Sequence, residues 1–241
     1  KGAPRELSLP TDRPRPEKMT FQGAQASIVL PSDELRRVNE TFQSDGTTLF
    51  MTVLAAYGVL LSGLSKANDI VIASTTSSRT KRSTEGLIGC CFNKLALRVE
   101  LQGDPTFRQL LTKVRETTLG AFDNQDLPFD VLVHDLEIPL NGPITPLMQV
   151  GYAPQDSGWE GLSLHNLELE PFAVNRAMAP LDLILYYQSE GEGLRVWMEY
   201  RSDLFEAATI ERWLEGLRRI LTQAARDDST TVERLAALVS S

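Results

Sequence analysis

The sequence predicts an α/β (α+β) domain in which a mixed β-sheet packs against helices, and three observations carry that prediction. Segments with apolar residues at alternate positions, such as Leu95–Leu101, interleave with segments whose apolar residues recur every three or four positions, such as Ile210–Ala224. Thr48–Leu64 is apolar on nearly all sides, which places a helix in the middle of a core. Late in the chain, Leu181–Tyr187 and Leu194–Tyr200 flank Ser189-Glu190-Gly191-Glu192-Gly193, a hairpin signature. Strands and helices mixed in this order make one layered domain.

The elements follow in order. Leu9–Pro16 is Pro-rich and charged, so residues 1–20 read as an extended linker and 21–241 as the folded lobe. Ala26–Leu30 is a strand. Ser32 is read as the N-cap of a helix whose apolar face is Leu35, Val38 and Phe42. Asp69–Ser74 is a buried strand followed by a polar loop, Thr75–Thr84. After the strand ending at Leu101, Asp104-Pro105 supplies an N-cap and a first-turn proline for a helix carrying Phe107, Leu110, Leu111 and Val114. Leu127-Pro128-Phe129 opens a short helix running to Leu136. Asn141-Gly142-Pro143 is a turn, Leu147–Tyr152 a strand, Ala153–Asn166 a loop around Trp159, and Thr230–Leu238 a last short helix.

Composition narrows the function classes. Of 241 residues, 42% are hydrophobic and 23% charged, the balance of a globular chain. The net charge of -8 argues against nucleic-acid binding, which needs clustered Lys and Arg. The apolar run Thr48–Leu64 is too short and too polar for a membrane span. Cys90 and Cys91 are adjacent, so they cannot staple distant segments, and a reducing cytoplasm is expected. His134 and His165 have no metal-ligand partners at helical spacing. Phosphate-cradling glycine motifs and G-x-S-x-G are absent. Ile88–Phe92 reads as an apolar run whose thiols are buried and inert. Nothing in these residues makes a self-contained active site.

Three segments carry a resemblance. Ile88-Gly89-Cys90-Cys91-Phe92-Asn93-Lys94-Leu95-Ala96-Leu97-Arg98 resembles (I/V)G-x-FVNT-x-x-x-R. Asn124-Gln125-Asp126-Leu127-Pro128-Phe129-Asp130 resembles (H/N)QD-x-PFE. Asn141–Val150 resembles the SRNPLFQV region through Pro146, Leu147, Gln149 and Val150. All three are signatures of the nonribosomal peptide synthetase condensation domain, and the resemblance is to its C-terminal lobe. It implies a chloramphenicol acetyltransferase-like fold, with two lobes forming a V around a tunnel. It further implies carrier proteins that deliver thioester-bound acyl, peptidyl and aminoacyl groups on phosphopantetheine arms. The N-terminal condensation lobe would supply an HHxxxDG motif, which this sequence lacks. That lobe is expected upstream of Lys1, and the chain alone is expected to be inactive. The chain itself is expected to bind no cofactor or metal. Its partners would be that lobe, peptidyl and acyl carrier proteins and adjacent synthetase domains. A non-catalytic module recruiting a carrier protein or a tailoring enzyme is the alternative.

The resemblance and the residue types together nominate site residues. Asn93 is assigned either to the tunnel wall or lobe hinge, or to local backbone groups at the strand entry. Arg98 is read as solvated or salt-bridged. Gln125 and Asp126 are read as anchoring the turn before Pro128 and Phe129, and Gln149 belongs to the third motif. Asp182 is expected to face the tunnel, the partner lobe or water. Trp159 lies in the loop that would cross to the partner lobe. Arg79, Lys81 and Arg82 form a basic loop that fits a pantetheine phosphate or an acidic carrier helix, with a plain solvated loop as the simpler reading. Lys94 stands where the family commonly has Thr. An exposed apolar patch is expected where the partner lobe would sit.

Overall fold

Alternating apolar residues build the strands. In the computed structural model, which describes residues 2–43, 46–77, 79, 81–138, 144–145, 147–155, 165, 167 and 177–240, they assemble into one sheet. Its strands are β1 (Gly23–Leu30), β2 (Asp69–Ser77), β3 (Phe92–Glu100), β4 (Val150–Pro154), β5 (Leu183–Glu190) and β6 (Gly193–Arg201), in the order β1-β6-β5-β4-β2-β3. β4 runs parallel to both its neighbours, β2 and β5, while the other pairings are antiparallel. The sheet is therefore mixed, as the sequence predicts.

Period two gives the sheet two unlike faces. Leu183, Leu185 and Tyr187 of β5, with Leu194, Val196, Met198 and Tyr200 of β6, enter the main core. That core is completed by α1 (Ser32–Phe42), α2 (Leu49–Ser65), α3 (Phe107–Asp123), α5 (Ala207–Arg226) and α6 (Val232–Ala236). Ile184, Tyr186 and Gln188 pair with Glu199, Trp197 and Arg195 on the opposite face. There α4 (Phe129–Asp135) covers only part of the sheet, packing Phe129 and Val133 with Leu147 over Val71 and Ala96.

α2 is the central helix, with twelve of its residues buried from Met51 to Gly63. Thr48 caps it by accepting from the Met51 amide. Gly58 lets it lie close to the sheet, because a Cβ there would stand 2.8 Å from Cγ1 of Val99. α5 buries the stripe Ile210, Trp213, Leu214, Leu217, Ile220, Leu221 and Ala224, as its spacing predicts.

Several boundaries differ from expectation. The α3 cap is Thr106, in a capping box with Gln109, rather than Asp104. Asp104 sits at φ 47° and accepts instead from the Glu233 amide at the start of α6, 2.8 Å away. Ser32 is the first helical residue of α1, and Pro31 occupies the cap position without a side-chain bond. β2 continues to Ser77, because Thr75, Thr76 and Ser77 pair with Lys94, Asn93 and Phe92. β4 begins at Val150 and not at Leu147. The hairpin is tighter than five residues: Glu190 pairs with Gly193, and Gly191 takes the first turn position at φ 59°. Asn141-Gly142-Pro143 and most of the loop Ala153–Asn166 lie outside the described residues.

Residues read as a linker pack on the rest of the fold. Leu7 is buried, and the Asp12 and Arg13 amides both donate to the Leu204 carbonyl, at 2.9 and 3.1 Å. The Asp12 carboxylate accepts from the Glu206 amide at 2.8 Å and from the Thr209 hydroxyl at 3.0 Å, next to the start of α5.

Two substitutions test the packing. Gly23 carries no Cβ against a passing backbone, and one there would stand 2.5 Å from the Ala179 amide nitrogen. Gly23→Ala is expected to lower unfolding free energy in urea by about 1–3 kcal/mol. The Tyr57 hydroxyl is buried with no hydrogen-bond partner among the described residues, so Tyr57→Phe removes an unsatisfied group and should leave stability within about 1 kcal/mol.

Candidate functional site

Asn93 is the second residue of β3, beside the turn that links α3 to α4. Its Nδ2 donates to the carbonyls of Gln125 and Leu127, at 2.8 and 2.6 Å. Its Oδ1 accepts from the amides of Lys94 and Phe129, at 2.9 and 3.2 Å. Two donors and two acceptor positions are the full capacity of a carboxamide. Asn93 is thus saturated by local backbone and fastens the start of α4 onto β3. Gln125 joins the same knot, its Oε1 accepting from the Thr76 hydroxyl at 2.6 Å. Asp126 is exposed, and the α4 cap position belongs to Pro128, whose φ of -59° suits a helix entry.

The knot sets one wall of a cleft of about 490 Å³ between α4 and β3. Phe129, Val133, Ile138 and Met148 make it apolar, and Asp130, His134, Glu137 and Thr145 lie along it. Lys94 enters from the strand, with Nζ 5.9 Å from the centroid of the Phe129 ring.

Asp182 and Gln149 form a second cluster, at the other end of the sheet. Asp182 immediately precedes β5 and is only 2% exposed. Arg15 donates to both its oxygens, the Nη1–Oδ1 contact being 2.8 Å. Gln149 Nε2 donates to Oδ2 at 3.0 Å, and Arg201 Nη1 lies 3.8 Å from Oδ1. Gln149 also clamps Leu7, accepting from its amide at 2.7 Å and donating to its carbonyl at 2.8 Å. Arg201 is 1% exposed and makes a paired contact to Asp203, at 3.0 and 2.6 Å. Burial would raise the Asp203 carboxyl, but hydrogen bonds from Arg201 and Thr20 outweigh it and hold the group below its ordinary value. The hydrogen bond to Asp182, against the cost of burial, raises the Arg15 guanidinium above its ordinary value. Asp182 therefore faces neither an open surface nor water. It joins the first twenty residues to the sheet.

Arg98 makes a paired contact to Asp69, at 2.9 and 2.7 Å, and lies 3.3 Å from Glu100, in keeping with the salt-bridged reading. The basic loop divides in two. Arg79 turns inward and donates to the carbonyls of Leu87 and Gly89, at 2.6 and 3.2 Å. Lys81 and Arg82 are exposed. Ile88 is fully exposed, Leu87 and Phe92 are more than half so, Cys90 is exposed and Cys91 is half-buried. The expectation of buried thiols is thus overturned. Pairing of β2 with β3 ends at Ser77–Phe92, so Leu87, Ile88 and Cys90 lie outside the sheet. His134 and His165 are exposed. Trp159 lies outside the described residues.

Sequence reasoning missed Arg15, Arg201 and the cleft around Lys94. A charged residue at the end of the alternating strand Gly193–Arg201, one position after the core series Leu194, Val196, Met198 and Tyr200, gave no clear signal for Arg201. Arg15 had none, because it sits in a segment read as linker. Among the described residues no three His, Cys, Asp or Glu side chains gather to hold a metal, and no helix is long and apolar enough to cross a membrane.

The fold and these segments can be set beside known proteins. A family model described as "Condensation domain" matches residues 1–240. The chain belongs to the condensation-domain family. This condensation-domain chain is 43% identical over 213 residues to a linear gramicidin synthase of Brevibacillus parabrevis, covering 88% of the chain and 3% of that protein. It is 39% identical over 231 residues to malpinin synthetase of Mortierella alpina, covering 96% of the chain and again 3% of the relative. The chain is thus a small part of the length of either relative. Among solved structures, a holo four-domain nonribosomal peptide synthetase bound to AMP and glycine superposes with a TM-score of 0.88 at 25% identity, over 95% of this chain and 19% of that one. The X-domain from teicoplanin biosynthesis superposes with a TM-score of 0.86 at 26% identity, over 97% of this chain and 54% of that one.

Two ion pairs of opposite environment make a comparison in urea denaturation. Asp182→Ala strands the buried Arg201 and the mostly buried Arg15, and is expected to cost about 3–5 kcal/mol. Arg98→Ala removes a pair whose arginine is 34% exposed and is expected to cost under about 1 kcal/mol.

Proposed function

We propose that this chain is the C-terminal lobe of a nonribosomal peptide synthetase condensation domain and forms a tunnel with an N-terminal lobe. In that tunnel an aminoacyl amine attacks the thioester carbonyl of an acyl or peptidyl donor. A C–N bond forms, the C–S bond breaks, and the carrier thiol leaves with the proton lost by the amine. The observation that supports the lobe assignment is the X-domain superposition, which uses 97% of this chain but only 54% of that one. Among the described residues α4 is the helix packed on that face of the sheet, over Val71 and Ala96, which agrees with a second lobe seated beside it.

The chemistry is divided between the lobes. No side chain described above is placed as a nucleophile or a general base, and the sequence holds no HHxxxDG. The proton-transfer groups would come from the N-terminal lobe, where a positioned histidine assists attack. This chain would contribute a wall and the cleft beside Lys94, held in shape by Asn93 and Asp182. The phosphopantetheine arms belong to the carrier proteins, and adjacent synthetase domains would flank the lobe.

A second reading has its own observation. An X-domain solved in complex with OxyB superposes on 97% of this chain with a TM-score of 0.85. A lobe of this fold could serve a recruiting module without making amide bonds.

The test is reconstitution with two loaded carrier proteins and mass spectrometry of the carrier-bound product. The 241-residue chain alone is expected to give no amide, and the chain joined to an HHxxxDG-bearing lobe to give one. A joined protein that binds the carriers yet forms no amide contradicts the catalytic reading and favours recruitment.

A further inference from the structure

We propose that residues 2–20 are a rigid splint across one end of the sheet, and that Arg15 and Asp182 act through it as positioning residues for amide formation by fixing where an upstream lobe sits. The inference rests on the condensation reading above, in which such a lobe precedes this chain.

The first observation is the path of the segment. The sheet order is β1-β6-β5-β4-β2-β3, and the segment meets the strand ends from β3 back to β1. The Gly2 carbonyl accepts from Arg98, near the end of β3, at 3.4 Å. Residues 4–7 line a small cavity with Ile70 and Val71 at the start of β2. Gln149, just before β4, clamps Leu7. Arg15 holds both oxygens of Asp182, just before β5. Arg13 donates to the Ser202 and Phe205 carbonyls at 3.0 and 3.3 Å, and Thr20 to the Asp203 carboxylate at 2.6 Å, all beyond the end of β6. The chain then enters β1 at Gly23. These strand ends all belong to one end of the sheet, so the segment crosses its full width.

The second observation is where the crossing starts. Gly2, Ala3 and Arg5 line a cavity of about 410 Å³ with Leu136, Glu137 and Ile138, at the end of α4. Glu137 and Ile138 also line the Lys94 cleft. Anything attached before Gly2 is therefore delivered beside α4, next to that cleft.

The third observation is the kind of tether. Apolar packing would hold the segment about as firmly, because a buried ion pair gives little net stability over packed side chains of equal volume. A guanidinium donating to both carboxylate oxygens fixes an angle as well as a distance. With Asp182 2% and Arg15 22% exposed, little water reaches the contact to loosen it. Magnitudes say why that matters. A flexible segment of this length spans about 25 Å r.m.s.. Reacting atoms must approach to about 3–3.5 Å, and a displacement of about 1 Å can cost a hundredfold in rate. A tunnel shared by two lobes needs their offset held far more tightly than a free linker holds it.

The experiment uses the lobe-joined protein with two loaded carrier proteins, as wild type, Arg15→Gln, Asp182→Asn and the double variant. Arg15→Gln leaves Asp182 with Gln149 and Arg201, so the fold keeps its other fastenings. Each single variant is expected to lower kcat roughly tenfold or more, with KM for either carrier changed less than about twofold. The double variant should be no slower than the slower single one, because both break one contact. Arg15→Lys keeps the charge but not the paired geometry and should recover part of the rate. Lobe geometry is read separately, by the distance between a spin label at Lys113→Cys in a Cys90→Ser/Cys91→Ser background and one on the upstream lobe. The distribution should be narrow in the wild type and broad in Arg15→Gln. An unchanged kcat in Arg15→Gln overturns the splint, as does a distribution equally narrow in the variant. A fall in kcat that only tracks the folded fraction in urea overturns it in favour of plain structural support. A wild-type joined protein that binds carriers without making amide removes the condensation reading, and the distance measurement still decides the splint.

Discussion

A carboxylate buried as deeply as Asp182 needs partners in place of the water it has lost. Desolvation costs several kcal/mol per ion and is offset only when geometry is good and the remaining lone pairs are used. Here the replacement comes from three separate parts of the chain: Arg15 near the start, Gln149 just before β4, and Arg201 at the end of β6. The backbone repeats the connections, since the Asp182 amide donates to Gln149 and the Arg201 amide donates to Asp182. One side chain thus fixes how the parallel β4–β5 pair, the last strand and the first twenty residues sit together.

That constraint ties together one end of the sheet. Gly23, Leu183 and Arg201 lie at the Asp182 end, while Ser77, Phe92 and the Gly191 turn lie at the opposite end. The Asn93 knot and the exposed Leu87 and Ile88 are both at the end opposite Asp182. The two clusters share a method, in which polar side chains are spent on backbone and on each other. In both, residues that resemble family motifs act as fasteners: Asn93 has no hydrogen-bonding capacity left, and Gln149 has both ends of its amide engaged. The apolar cleft beside Lys94 has room for a guest.

Legibility in the sequence followed the range of the interaction. Period and turn chemistry are local, so the strands, the central helix α2 and the amphipathic α5 could all be read from spacing, and the mixed sheet with them. Caps failed where two candidates stood two residues apart: Thr106 won over Asp104 because its partner Gln109 lies three residues on. The Arg15–Asp182 pair spans 167 positions, and no local pattern announces it. Proline spacing made the first twenty residues look like linker, although their backbone bonds run to Leu204 and Gln149. The apolar run at Ile88 was read as core because hydrophobicity alone does not say where a sheet ends.

If Asp182 is what makes the first twenty residues part of the folded domain, amide exchange in that segment must depend on it. The direct measurement is hydrogen exchange of the Leu7, Asp12 and Arg13 amides in the wild-type chain and in Asp182→Asn, under conditions where both remain folded. The constraint predicts protection of all three in the wild type and loss at Leu7 in the variant, while the core of α2 stays protected. Free exchange at these amides in the wild type, or protection at Leu7 that survives the substitution, would contradict it.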